Sequence, residues 1–339
     1  MSGETMVPAN GVDLCVETFG EPSDPPVLLL AGAASSMDWW EDEFCRRLAA
    51  GGRYVIRYDH RDTGRSTSFP AGAPPYSGSD LGRDALGLLD ALGERQAHLV
   101  GVSMGGGLVQ WIAVAEPSRV LTLTLMSTSA LQHTESADSV ESPGSAESAR
   151  SAESAGSAEA AGSAEAAGSA ESAESAPSPG SAEVAGSAEA AGSAKASGSG
   201  AQAESGDDEP ETDWSDREAA VDRLVKDAQQ FGGPRTAEEP HLRRLAERVV
   251  DRTTDMAASQ TNHWIIDGGE PMRRRLSTIT VPTLVMHGTM DPFFPMAEGE
   301  ALARAIPGAR LVRLEGVGHE HPPAAVWPVV IKEILEHTA

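Results

Sequence analysis

Along most of the chain, short apolar runs alternate with stretches in which apolar residues recur at helical spacing. Val27–Leu30 is a continuous apolar run, and Tyr54–Tyr58 is a second, largely apolar one broken by Arg57 and followed by Asp59. Between Ser79 and Leu92 the residues Leu81, Ala85, Leu88, Leu89 and Leu92 fall on one side of a helix. Ala97–Val102 reads as a strand, Met104–Ala115 as a helix and Val120–Met126 as a strand. Beyond residue 277 the pattern resumes: strand Thr283–Met286, helix Ala297–Ala305, strand Arg310–Leu314 and a closing helix Ala325–His337. Such alternation predicts an α/β fold with a mostly parallel sheet covered by helices on both faces. Val12–Thr18, entered through the turn signal Asn10-Gly11, is expected as an antiparallel edge strand.

The alternation breaks between residues 134 and 213, where Ser, Ala, Glu and Gly dominate in recurring units such as Gly-Ser-Ala-Glu-Ala-Ala. Alanine methyls bury too little to offset a backbone ordering cost of roughly 1–2 kcal/mol per residue, so a disordered linker is expected there. A solenoid is excluded on the same ground, because each repeat must bury an apolar face against its neighbour. Removing about residues 136–208 is therefore expected to leave the folded part intact. The chain divides accordingly into a first core part (1–133), the insert (134–213), a helical lid (214–277) and a second core part (278–339). Within the lid, Ser215 with Glu218 three residues on is read as a capping box.

Composition changes this picture little. The formal net charge is −25, from 26 Lys plus Arg against 51 Asp plus Glu in 339 residues, and the insert holds 17 of the acidic residues and 2 of the basic ones. The acidic surplus argues against a nucleic-acid binder or a protein docking on anionic membrane. No apolar run approaches the roughly 20 residues of a membrane span, and the polar start lacks a secretory pattern. Cys15 and Cys45 form no disulfide framework, and no Cys/His cluster has zinc spacing. A soluble cytoplasmic protein without metal or cofactor is expected.

The chemistry concentrates at Gly101-Val102-Ser103-Met104-Gly105, a G-x-S-x-G motif between a predicted strand and a predicted helix. A sharp turn there lifts the serine hydroxyl above the sheet edge, making Ser103 the candidate nucleophile. A serine needs a base and the base an orienter. Asp291 follows the Thr283–Met286 strand and His319 follows the Arg310–Leu314 strand, both at strand carboxyl ends. His321 is the competing base; His319 is preferred because Gly318 permits a tight loop and because Pro322 restricts His321. Asp267 is the competing acid, but it sits in the lid. His263, beside Trp264, is assigned to core or lid packing, with a place at the pocket as the alternative. Oxyanion donors are expected from the Met104 N–H and from the loop Ala31-Gly32-Ala33-Ala34-Ser35, at Ala33 or alternatively Gly32. Only 4% of the chain is aromatic. Met37, Trp39, Trp40, Phe231, Trp264, Phe293, Phe294 and Met296 fall near these loops or in the lid, and are read with Gly32 as walls of an apolar pocket.

The stretch Tyr58-Asp59-His60-Arg61-Asp62-Thr63-Gly64-Arg65-Ser66, the turn Gly101–Gly105 and the Asp291 and His319 loops together resemble the α/β-hydrolase family. The Arg57–Ser66 stretch with the Gly32 loop is most similar to its aclacinomycin methylesterase branch. That resemblance implies hydrolysis of a methyl ester on an anthracycline polyketide without metal or cofactor. It also implies nucleophile, acid and base at Ser103, Asp291 and His319, with oxyanion donors at Ala33 and Met104. The chain departs from the pattern at Ala31-Gly32, where many relatives carry His-Gly, and in its long insert. Ser103-Met104-Gly105-Gly106-Gly107 also resembles cofactor-free haloperoxidases, so a perhydrolase or lactonase stands as the alternative. A small-ligand receptor on the same fold is a third reading.

Overall fold

The computed structural model of the protein describes residues 3–130, 212–268 and 275–339. The expected insert, apart from Thr212 and Asp213, lies outside the described residues, as does His133. The described elements all belong to one compact unit.

The chain enters through a hairpin that the hydrophobic pattern did not reveal. Strand β1 (Thr5–Ala9) pairs antiparallel with β2 (Val12–Phe19), with Ala9 opposite Val12. Asn10 and Gly11 carry φ of 46° and 80°, the paired left-handed geometry that a two-residue hairpin turn requires. The edge of the sheet is therefore β1 and not Val12–Thr18. Pro8 and the short length of Thr5–Ala9 hide β1 from a pattern reading, yet both suit an edge strand.

From β2 the sheet turns parallel. Strands β3 (Pro26–Leu30), β4 (Tyr54–Tyr58), β5 (Ala97–Val102), β6 (Val120–Met126), β7 (Thr283–Gly288) and β8 (Arg310–Leu314) give the order β1-β2-β4-β3-β5-β6-β7-β8. Only the β1–β2 and β2–β4 pairs are antiparallel. Alternating side chains of β3 serve two cores, Leu28 and Leu30 on one face, Val27 and Leu29 on the other. Burial on both faces explains why β3 reads as an unbroken apolar run.

Helices α2 (Gly78–Leu92), α3 (Met104–Ala115) and α7 (Met296–Ala305) supply Leu88, Ile112 and Leu302 to the first core. The second core is closed by α1 (Asp42–Ala50), through Phe44, Cys45 and Leu48, and by α8 (Trp327–His337), through Trp327, Val330 and Ile334. The expected closing helix starts two residues later than predicted, after a 3-10 turn at Ala324–Val326. Helix α1 had no expectation in the sequence; only three of its nine residues are buried.

Helices α4 (Arg217–Phe231), α5 (Glu239–Arg252) and α6 (Met256–Thr261) form a separate apolar cluster through Val221, Leu224, Leu242, Val249 and Met256. The α4 cap corrects the expected capping box. Asp216, not Ser215, caps the helix, accepting from the Glu218 and Ala219 N–H groups. The Ser215 N–H and hydroxyl both donate to Asp213 instead.

Candidate active site

The β5–α3 turn is built by close backbone approach. A Cβ at Gly101 would lie 2.3 Å from the Gly105 carbonyl oxygen, and one at Gly105 would lie 2.4 Å from that of Leu30. Between them Ser103 adopts φ 53°, ψ −118°, outside the regions L-residues favour. That conformation is held from both sides: the Ser103 N–H donates to Met126 O at 3.0 Å, and the Thr128 hydroxyl donates to Ser103 O at 2.9 Å. Strain of this kind persists where the surroundings over-determine it.

Asp291 and His319 lie on the loops that leave β7 and β8. One Asp291 oxygen accepts the Phe293 and Phe294 N–H groups at 2.9 and 2.8 Å. The other accepts from His319 Nδ1 at 2.9 Å. With Nδ1 carrying the proton, Nε2 offers its lone pair to the Ser103 hydroxyl 3.0 Å away. The His319 backbone is tied to α4, its N–H donating to Phe231 O at 2.7 Å. The structure thus brings together Ser103, His319 and Asp291, separated by up to 216 positions in the chain.

His321 also lines the cavity beside Ser103, but its ring is engaged by two tryptophans. Its ring stacks on Trp39, 6.3 Å between centroids, and meets Trp40 edge-on at 5.0 Å. Burial, then the neighbouring His319, pushes its pKa down to about 3, so it sits neutral. Asp267 is exposed, and its carbonyl accepts the Gly78 N–H.

A cavity of about 190 Å³ opens beside Ser103 and His319. Gly32, Ala33, Trp39, Phe231, Trp264 and Phe293 line it. Trp264 is 57% exposed and stands at its mouth. Four expected wall residues do not line it: Met37, Trp40, Phe294 and Met296. Met37–Trp39 is a 3-10 turn, so Met37 and Trp40, three residues apart, point the same way into the core. Trp40 there packs on Phe44 at 5.5 Å. Phe294 instead meets the His319 ring edge-on at 5.4 Å.

Polar lining residues escaped the sequence reading because they carry no motif. Glu320 accepts from the Thr236 hydroxyl at 2.8 Å, and burial raises its pKa. Asp227 and Gln260 come from α4 and α6.

The loop Gly32–Ser35 is a tight turn closed by the Ser35 N–H on Gly32 O at 3.3 Å. Its third residue, Ala34, has φ 57°, which costs a non-glycine residue roughly 1–2 kcal/mol. Gly32 abuts Ser103, after which Met104 begins α3, and the first N–H groups of a helix have no partner within it. Its side chain packs against the first core.

Behind this loop, charged side chains tie α5 to the strand ends. Arg252 meets Asp59 at 2.9 Å and Glu4 at 2.6 Å, and also pairs with buried Asp38. Asp59 further accepts the Met37 and Arg65 N–H groups. In the same stretch Arg61 pairs with buried Asp84 at 2.5 Å. The conspicuous Tyr58–Ser66 stretch therefore braces the loops around the cavity. Among the described residues no group of His, Cys, Asp and Glu side chains is arranged to hold a metal ion, and no helix is long and apolar enough to cross a membrane.

Comparison with known proteins agrees with this architecture. Residues 25–177 and 211–321 match the family model described as the alpha/beta hydrolase fold. The chain is 33% identical to the rhodomycin D methylesterase DauP of Streptomyces sp. (strain C5), over 98% of this chain and 97% of that protein. It is also 33% identical to the rhodomycin D methylesterase DnrP of Streptomyces peucetius, with the same coverage. The enol-lactonase from Burkholderia xenovorans LB400 superposes with a TM-score of 0.63 at 21% identity, covering 98% of this chain and 99% of that one. The chain belongs to the α/β-hydrolase family, as an ester hydrolase.

Proposed function

We propose that the protein is a serine esterase that cleaves a methyl ester on a polyketide-like small molecule. Ser103 Oγ attacks the ester carbonyl carbon while His319 Nε2 takes the hydroxyl proton. Asp291 holds the imidazole tautomer and stabilises the imidazolium. The Ala33 and Met104 N–H groups stabilise the tetrahedral oxyanion. Collapse expels methanol, protonated by His319, and leaves an acyl-enzyme. Water, activated by the same histidine, then releases the carboxylic acid and restores Ser103.

The observation that carries this reading is the unbroken hydrogen-bond line from Asp291 through His319 to Ser103, 2.9 and 3.0 Å long. The substrate class is supported by the two rhodomycin D methylesterases and by the aromatic walls Trp39, Phe231 and Phe293.

A fluorophosphonate probe tests the nucleophile: wild type is expected to label stoichiometrically and Ser103→Ala not at all. In a panel of methyl, acetyl and longer acyl esters, a polyketide methyl ester is expected to be cleaved most efficiently. His319→Ala is expected to lower turnover by about 10³-fold or more, while His321→Ala retains most of it. The opposite result would reassign the base.

A further inference from the structure

We propose that His263, with Gln260, is a positioning residue for ester hydrolysis: the pair locks the Gly32–Ser35 turn so that the Ala33 N–H faces the developing oxyanion. The inference rests on the serine-esterase reading and deepens it.

The turn's own closure, the Ser35 N–H on Gly32 O, is long at 3.3 Å. The third position of the turn needs a left-handed backbone, where glycine is the ordinary choice, and this chain has Ala34 there, with φ 57°. Both polar backbone groups of that residue are held by side chains from α6 and from the 3-10 turn Asn262–Trp264 that follows it. The Ala34 N–H donates to His263 Nδ1 at 3.1 Å, and Gln260 Nε2 donates to Ala34 O at 3.1 Å. The Ala34 N–H belongs to the Ala33–Ala34 peptide, whose carbonyl accepts the Ser35 hydroxyl at 3.2 Å. That peptide plane is held at both ends and Gln260 holds the next one, which limits how the turn, and with it the adjoining Gly32–Ala33 peptide that carries the Ala33 N–H, can rotate.

His263 is set for this task by its other nitrogen. Nε2 lies 2.8 Å from Arg61 O, a carbonyl that can only accept, so Nε2 carries the proton and Nδ1 the lone pair. The ring is buried, and burial keeps it neutral. His60, edge-on to it at 6.0 Å, approaches Ala31 O at 3.2 Å and braces the same loop one residue before the turn begins.

The test separates transition-state stabilisation from substrate binding. A short-chain trifluoromethyl ketone is a suitable probe. Ser103 Oγ adds to its carbonyl carbon, the hydroxyl proton passes to His319 Nε2, and the carbonyl oxygen becomes an oxyanion in the same place. Gln260→Ala, His263→Asn and His263→Ala are compared with wild type on one methyl ester. Asn retains an acceptor near the Nδ1 position, so His263→Asn is expected to keep more activity than His263→Ala. The alanine variants are expected to lose about 10- to 100-fold in kcat with KM changed less than about threefold. Their ketone Ki is expected to rise in step with the loss in kcat/KM. Should His263→Ala fail to fold, the other two variants carry the comparison. Variants that label normally and bind the ketone as wild type does would overturn the positioning role alone, as would losses confined to KM. A wild type that neither labels with fluorophosphonate nor binds the ketone would overturn the esterase reading, and this proposal with it.

Discussion

Single residues at this site owe their identity to distances of a few tenths of an ångström. Gly101 is required less for freedom than for room, since its backbone passes directly under Gly105. Gly101→Ala is expected to destabilise the protein by about 1–3 kcal/mol or more, as overpacking does, and to abolish fluorophosphonate labelling. Urea unfolding together with the labelling assay checks both. The G-x-S-x-G pattern was legible because the turn demands those residue types locally. The split between Trp39 at the cavity and Trp40 in the core was not. Two adjacent tryptophans look alike in sequence, and only the 3-10 turn that ends at Trp39 decides which one faces the ligand space. His263 was assigned to packing for a related reason. Its partners, Ala34 and Arg61, lie more than 200 positions away, so no local pattern marks it.

Elements were legible where burial imposes a period. Strands buried on both faces and helices with a continuous apolar stripe, such as α2 and α3, matched their expected ranges to within a residue or two. Strand β1 was missed because it buries too few side chains to set a pattern; helix α1 is short, although Phe44, Cys45 and Leu48 do share one face. Helix caps show the same limit. Ser215 and Asp216 are both good capping residues, and backbone geometry selects Asp216. Asp216→Ala is expected to cost about 1 kcal/mol of stability, measured by thermal or urea unfolding, and Ser215→Ala close to nothing.

At the scale of the whole molecule, buried imidazoles make stability depend on pH. Burial lowers the pKa of His60 to about 3 and that of His98 to about 4. Their unfolded values lie near 6.5, so below that pH the unfolded chain binds protons that the native state refuses. The contribution is fully present above pH 6.5 and is lost as pH falls towards the native values. Each histidine is expected to remove up to about 1.4 kcal/mol per pH unit well below 6.5. Unfolding free energies from urea titrations at pH 7, 6 and 5 check this, and replacing His98 with Asn is expected to flatten the curve. Arg252 ties α5 to Asp38, Asp59 and Glu4, so α5 and the strand-end loops are linked through charge as well as apolar contact.

By itself the sequence determined the alternating architecture and the tight G-x-S-x-G turn, and it offered Ser103, Asp291 and His319 as candidates, because periodic burial and tight-turn sterics act on neighbouring residues. Tertiary structure alone decided which histidine meets Ser103, which aromatic rings border the cavity, and that His263 and Gln260 hold Ala34. Those choices depend on hydrogen bonds and packing between segments far apart in the chain, whose geometry exists only after the sheet has assembled.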